Sequence, residues 1–349
     1  MEDRRTPGRD SRWLVSREDV DTRLVDAMCH GTTIAETDEG LALAFFGGPN
    51  RSSEGRVGQA LWFSRRDAQG WAAPRCLAPG ANAMTMCWNP VLYRAPEGPL
   101  LLFYKEGPDC SGWRGLVTRS DDAGRTWSRA EPLPAGIWGP IRNRPVRLED
   151  GGLLCPSSTE LGQWQVHFEH TTDLGRAWTR TASVADPHGL QAIQPTLLVW
   201  PNGRIQALCR TRASTVAETL SNDGGLTWTP LESTALPNPN SAIDAIRLRD
   251  GRALLIYNAS ACVVPGVGGG PRTPLSVAVS GDGRAWKLVG HLEVDPGEFS
   301  YPCVLQTADG LVHVTYTARI RFRGLRHAVI DPEAISGGRC TGGGGVSNA

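Results

Sequence analysis

The sequence has no run of about 18 apolar residues, the length a membrane-spanning helix requires, and its first residues, MEDRRTPGRDSRW, lack the apolar core of a secretory leader. The chain therefore reads as soluble and cytoplasmic, with no membrane partner. It also lacks a dominant charge. Thirty-six basic residues balance 36 acidic ones, with no block of like charge, so a nucleic-acid partner is not expected. Nine cysteines form an odd set without a C-x-x-C pair, and no His/Cys cluster has metal-ligand spacing. They lie mostly in apolar stretches such as LLCP and ALCR and read as buried free thiols. No metal and no cofactor is expected. Four methionines stand against 41 glycines and 25 prolines, a composition of many turns and few long helices that points to an all-β chain.

What the sequence does have is repetition, the feature to seek first because it decides the fold. SDDAGRTWS (120–128) recurs as TTDLGRAWT (171–179) and SNDGGLTWT (221–229), with weaker copies in SGDGRAWK (280–287) and SRRDAQGWA (64–72). Trp71, Trp127, Trp178, Trp228 and Trp286 stand 56, 51, 50 and 58 residues apart. Each closes a longer unit. The unit opens on a polar residue leading an apolar run, as in HGTTIAE, NPVLYR, RPVRLE, QPTLLV, SAIDAIRL and YPCVLQ. A tight turn of the Asp-Gly or Asn-Gly kind follows, at Asp150-Gly151, Asn202-Gly203 and Asp250-Gly251 among others. Two more apolar runs precede the Trp element.

Six openings with three or four strands each predict a six-bladed β-propeller, in which stacked blades bury both faces of every sheet and ring closure protects the edges. Residues 25–332 form the propeller in this reading. Residues 1–24, through RWLVSREDV, supply the strand missing from the sixth unit, and 333–349 are a glycine-rich tail. Five copies of the Trp element cannot all be one active site. Asp121, Asp173, Asp223 and Asp282 are expected to hold their own turns, with each Trp packed between sheets and its N–H bonded nearby.

Chemistry is sought among the residues that do not repeat. First strands line the channel of a propeller, so His30, Asn89, Arg144, Gln194, Asp244 and Tyr301 converge there. Strand ends add Glu160, Arg210, Asn258 and Arg319, and loops add Glu54, Arg272, His167 and Glu169. Buried polar groups are costly without partners, so such a ring suits a ligand site. Simpler alternatives stand beside this. Asn89 and Asp244 can serve only to bond neighbouring blades, His167 and Glu169 can be cross-strand neighbours, Arg319 belongs to the basic stretch ARIRFRGLR, and Glu54 sits in a polar loop. Tyr301, with Arg210 and Arg272 on neighbouring blades, has the parts of an activated phenolate and an anion clamp.

The Trp elements match the Asp boxes, or BNR repeats, of the sialidase (neuraminidase) superfamily, and the sequence resembles the sialidase-like branch from His30 to about Ile330. HGTTI, FFGG, RNRP, SSTE, HFE, LPNPNS and SYP are its marks. The resemblance implies an arginine triad holding a substrate carboxylate, a Tyr nucleophile paired with a Glu, and an acid on a loop of blade one. Carried over by position, Tyr301 matches the nucleophile, Arg210 the second arginine and Arg272 the third. Three departures stand out. The first-arginine position reads His30-Gly31-Thr32, Gln194 stands where the paired Glu is expected, and Glu54 best matches the loop acid. Tyr301 then needs another base, for which Glu160 is the candidate.

These residues lead to a glycoside hydrolase acting on a terminal acidic sugar. Catalysis falls to Tyr301, Glu160, Glu54 and His30, and binding to Arg210, Arg272, Arg144, Gln194, Asn89, Asp244 and Arg319. Two alternatives share the fold: a polysaccharide lyase in which His30 or Tyr301 takes the proton next to a uronate carboxyl, and a carbohydrate-binding propeller without turnover. The partner in every case is a carbohydrate.

Overall fold

A computed structural model describes residues 12–335 apart from 24, 26–27, 50–53, 97, 263–268 and 320–322. From residue 336 onward the expected tail lies outside the described residues. Among the described residues the regular structure is strands and one 3₁₀ turn, Ala83–Thr85. The strands make six antiparallel sheets around a channel, a six-bladed β-propeller. The first three strands of blade one are Met28–Thr37, Gly40–Gly48 and Ala60–Asp67, and those of blade four are Ala192–Val199, Ile205–Thr211 and Thr215–Ser221. Blade six takes Glu298–Gln306, Val312–Arg319 and Arg323–Ile330 from one end of the chain. Its outer strand, Leu14–Val20, comes from the other end and pairs antiparallel with Arg323–Ile330.

Second strands such as Leu100–Glu106 and Ile205–Thr211 are buried along their whole length, which is why they read as nearly continuous apolar runs rather than alternating ones. The core lies between blades. Leu154, Val166 and Phe168 of blade three meet Ile205, Ala207 and Cys209 of blade four.

The Trp elements sit at these joints. Trp127 packs edge-on against Phe63 of the preceding blade, Trp178 does the same with Phe103, and Trp228 stacks on Phe168 with ring centroids 3.7 Å apart. In the turn of blade four, Asp223 accepts the Thr227 N–H and hydroxyl while the Ser221 hydroxyl accepts the Gly225 N–H. Asp173 and Asp282 do the same work in their turns. In blade two the role belongs to Asp122, not Asp121. Asp122 accepts the Thr126 N–H and bonds Ser120, because the hydroxyl residue and the carboxylate must be two apart to face one turn. The indole N–H groups divide. Trp228 and Trp286 donate to the carbonyls of Gly225 and Gly283, whereas those of Trp127 and Trp178 are buried without a partner.

One departure from regular pairing positions the functional end of the channel. The innermost strands of blades one, two, four and six each carry a bulge, between His30/Thr33, Trp88/Val91, Ile193/Thr196 and Ser300/Cys303. Within it lie Gly31, Asn89, Gln194 and Tyr301, all at positive φ. A bulge re-aims the side chain it carries, and left-handed backbone at Asn89, Gln194 and Tyr301 stores strain of about 1 kcal/mol or more each.

Candidate active site

The bulges bring Tyr301, His30 and Gln194 to one end of the channel, where Arg210, Arg272 and Glu54 join them. His30 is fully enclosed. Its ring stands 4.0 Å from that of Tyr301, its Nδ1 lies 2.9 Å from the Thr317 hydroxyl, and its Nε2 lies 3.1 Å from the Glu54 carboxylate. Burial, reinforced by Arg319, Arg272, Arg142 and Arg210, pushes the His30 pKa well below the ordinary histidine range, so the imidazole is neutral. Gly31 follows it because a side chain there would strike the Phe46 ring, at 2.5 Å from a built Cβ.

Glu54 keeps 37% of its side-chain surface open at the mouth of the cleft. Crowding by protein, and then the Glu298 carboxylate, nevertheless pushes its pKa up to about 7, against the opposing pull of Arg319 and Arg210. A carboxyl that keeps its proton near neutral pH is equipped to donate it.

Arg210 and Arg272 lie side by side on Asn240. Arg210 donates from Nε to the Asn240 side-chain oxygen at 3.1 Å, and Arg272 to its backbone carbonyl at 2.9 Å. Arg210 also reaches the Gln194 side-chain oxygen at 3.2 Å and the Tyr301 hydroxyl at 3.4 Å. Burial and then the Arg210 charge lower the Arg272 pKa. Among the described residues neither guanidinium meets a carboxylate, and every acceptor it has is neutral. Arg319, by contrast, is paired with Glu298 at the rim.

Several expected site residues stand elsewhere. The Glu160 carboxylate accepts from the Gln194 amide at 3.1 Å, Gln194 accepts from Arg210, and Arg210 reaches the Tyr301 hydroxyl; among the described residues no hydrogen bond joins Glu160 to Tyr301. Its expected role as the base acting directly on Tyr301 does not fit this geometry. Arg144 and Asp244 lie farther down the channel, among residues lining a cavity of about 430 Å³ with Leu92, Tyr93 and Leu305. Both cap the inner edge of blade six: Asp244 accepts the Val304 N–H, and Arg144 donates to the Val304 carbonyl. The other Asp244 oxygen accepts from Thr196 and Ala245. Asn89 is buried in the bulge of blade two. Asn258 ties Ser241 to the Phe299 carbonyl. His167 and Glu169 meet each other between blades at 3.2 Å.

The residue the sequence reading missed is Arg142. Aligning blade three on its X-Pro pair selected Arg144, but the arginine two places earlier enters the site, with its guanidinium 5.2 Å from the centre of the Tyr301 ring. RNRP shows both arginines, and nothing local tells which one the chain aims at the cleft. Among the described residues no group of three or more His, Cys, Asp or Glu could hold a metal ion.

Fold and cleft together define a sialidase-type propeller. The model of the BNR repeat-like domain family matches residues 39–314, and the chain belongs to that family within the sialidase-like superfamily. A protein of unknown function from Dyadobacter fermentans superposes with a TM-score of 0.75 at 19% identity, over 91% of this chain and 98% of that one. The intramolecular trans-sialidase of Ruminococcus gnavus gives 0.71 at 12% identity, over 91% and 97%. At these identities the likeness shows the fold alone. The anhydrosialidase of Macrobdella decora is 24% identical in an alignment of 227 residues that covers 56% of this chain. The match spans 28% of that relative's length.

Proposed function

We propose that the protein is a glycoside hydrolase that removes a terminal acidic sugar, sialic-acid-like or uronic, from a glycan. The observation that carries this reading is the pair Arg210 and Arg272, side by side on Asn240, the first buried and the second half-buried, with only neutral hydrogen-bond acceptors. Two adjacent cations with no carboxylate in hydrogen-bond contact are costly unless an anion joins them, and two planar forks suit a carboxylate. The sialidase names of the relatives support the same substrate class.

In the reaction this arrangement suits, the Tyr301 oxygen bonds as the anion to the anomeric carbon while the bond to the aglycone breaks. The Glu54 proton passes to the departing oxygen. Water then attacks the anomeric carbon, gives a proton to the Glu54 carboxylate, and releases Tyr301 in its starting form. Gln194 can accept no proton, and that one residue favours a second reading, a carbohydrate-binding propeller without turnover.

Incubation with a panel of sialosides and uronate oligosaccharides, read by mass spectrometry and near-ultraviolet absorbance, tests the proposal. A released acidic monosaccharide is expected. An unsaturated sugar would make the protein a lyase, and tight binding with no product would leave the binding propeller.

A further inference from the structure

Arg142 is a buried cation that the proposed reaction has not yet used. Its Nη2 donates to the Pro302 carbonyl at 2.7 Å, its Nη1 to the side-chain oxygen of Asn143, and its Nε is buried with no partner. Among the described residues no carboxylate contacts it. Burial lowers its pKa, and the acidic charge it feels most is that of Asp244, whose two oxygens are already taken by Thr196, Ala245 and Val304.

The guanidinium is also held firmly in place. The segment that carries it is fixed residue by residue from the joint between blades two and three. Glu169 accepts the N–H groups of Trp138 at 3.1 Å and Gly139 at 2.6 Å, the buried Lys105 ammonium donates to the Pro140 carbonyl, and the Ile141 N–H donates to Pro156. Beyond Arg142, the Asn143 amide donates to the carbonyls of Gln194 and Pro195. Six consecutive residues are thus tied to the walls, and the side chain they present ends over the face of the Tyr301 ring.

We infer that Arg142 is a positioning residue that supplies the counter-charge for Tyr301, stabilising negative charge on the phenolic oxygen where Gln194 replaces a base. The inference rests on the reading of Tyr301 as the attacking group. A cation over an aromatic face is attracted by the ring even when the phenol is neutral, and more strongly when the ring carries charge. Arg210, whose Nη1 lies 3.4 Å from the hydroxyl, acts on the oxygen directly. With both cations beside it, the phenolic proton passes to solvent water, which the half-buried Tyr301 still meets, and the negative charge stays on the oxygen.

The test uses a readout that does not depend on turnover. Tetranitromethane nitrates the phenolate form of tyrosine, and peptide mass spectrometry follows Tyr301 alone. Nitration of Tyr301 in Arg142→Met and Arg142→Gln should be slower than in wild type by about tenfold or more, and Arg142→Lys, which keeps the charge, should recover most of the rate. Calorimetric melting identifies the variants that remain folded, and Arg142→Lys against wild type decides if the neutral variants do not fold. Equal nitration in wild type and a folded neutral variant would overturn the inference. So would slowing in Arg142→Lys as large as in Arg142→Met. Failure of the wild type to cleave any sugar of the panel would instead sink the hydrolase reading, with the nitration result still deciding what Arg142 does to Tyr301.

Discussion

Glu54 and His30 face each other at 3.1 Å, and of the two only Glu54 holds a proton that can leave near neutral pH. Crowding by protein at the mouth of the cleft and the Glu298 carboxylate disfavour the Glu54 anion, so its proton persists up to about pH 7 and is lost above it. Turnover that requires this proton should fall about tenfold per unit as pH rises beyond 7. His30, held neutral, should add no limb near its ordinary pKa. Profiles of kcat/KM for wild type and Glu54→Gln check this, since a basic limb that survives in the variant assigns the proton to another group. The arginines make a separate prediction. Arg210→Lys and Arg272→Lys keep charge but lose the planar fork, and each should weaken binding of the free acid by about tenfold while leaving its methyl ester nearly unaffected. Calorimetric titration with both ligands decides, and equal losses for acid and ester would remove the carboxylate clamp. At this scale the sequence carried Tyr301 because it lies in SYP, and Arg210 and Arg272 because the repeat fixes the ends of the strands they adjoin. It did not reveal Arg142, because the aim of a side chain depends on how the strand bulges, and no residue in RNRP announces that.

The Trp elements belong to the scale of the single turn and its neighbour. Their chemistry is local, in four of the five copies a hydroxyl and a carboxylate two residues apart closing around a glycine, so the repeat was legible without a structure. The inter-blade packing was legible only in outline, because Phe63, Phe103 and Phe168 lie about 60–75 residues from the Trp they meet. Asp121 and Asp122 offer a paired test. Asp122→Ala removes the acceptor of the Thr126 N–H and should lower the melting temperature, whereas Asp121→Ala should leave it nearly unchanged. The reverse order would restore the neighbour to the role. Trp228→Ala removes a ring stacked on Phe168 and should cost about 3–5 kcal/mol by denaturant unfolding, with activity per folded molecule retained. An inactive but fully stable Trp228→Ala would place this element in the chemistry instead.

Closure belongs to the whole molecule. A ring of six sheets keeps its edges short and protected only if the last sheet is completed, and here strand Leu14–Val20 lies along Arg323–Ile330 from Val20 opposite Leu325 to Leu14 opposite Ile330. Trp13 is buried with Ile256, Leu292 and Phe299 of blades five and six, and its carbonyl accepts the Asp331 N–H at 2.8 Å. Charge ties the strand to both sides of the joint. Arg17 meets Glu293 of blade five at 3.0 Å, while Glu18 meets Arg66 of blade one at 3.0 Å and His327 of blade six at 3.0 Å. The candidate site depends on this ring, since His30 of blade one touches Tyr301 of blade six across the same joint. Trp13→Ala should therefore cost about 3–5 kcal/mol. Removal of residues 1–20 should do more: the bare edge of Arg323–Ile330 invites pairing between molecules, and the truncated protein should melt earlier, associate at high concentration and lose affinity for acidic sugars. A peptide spanning residues 12–21, added in excess, should restore part of the melting temperature by binding the folded form. Light scattering, calorimetry and ligand titration of the truncated protein check all three effects. A truncated chain that stays monomeric, melts with the full-length protein and binds the same ligand equally well would show that five and three-quarter blades suffice.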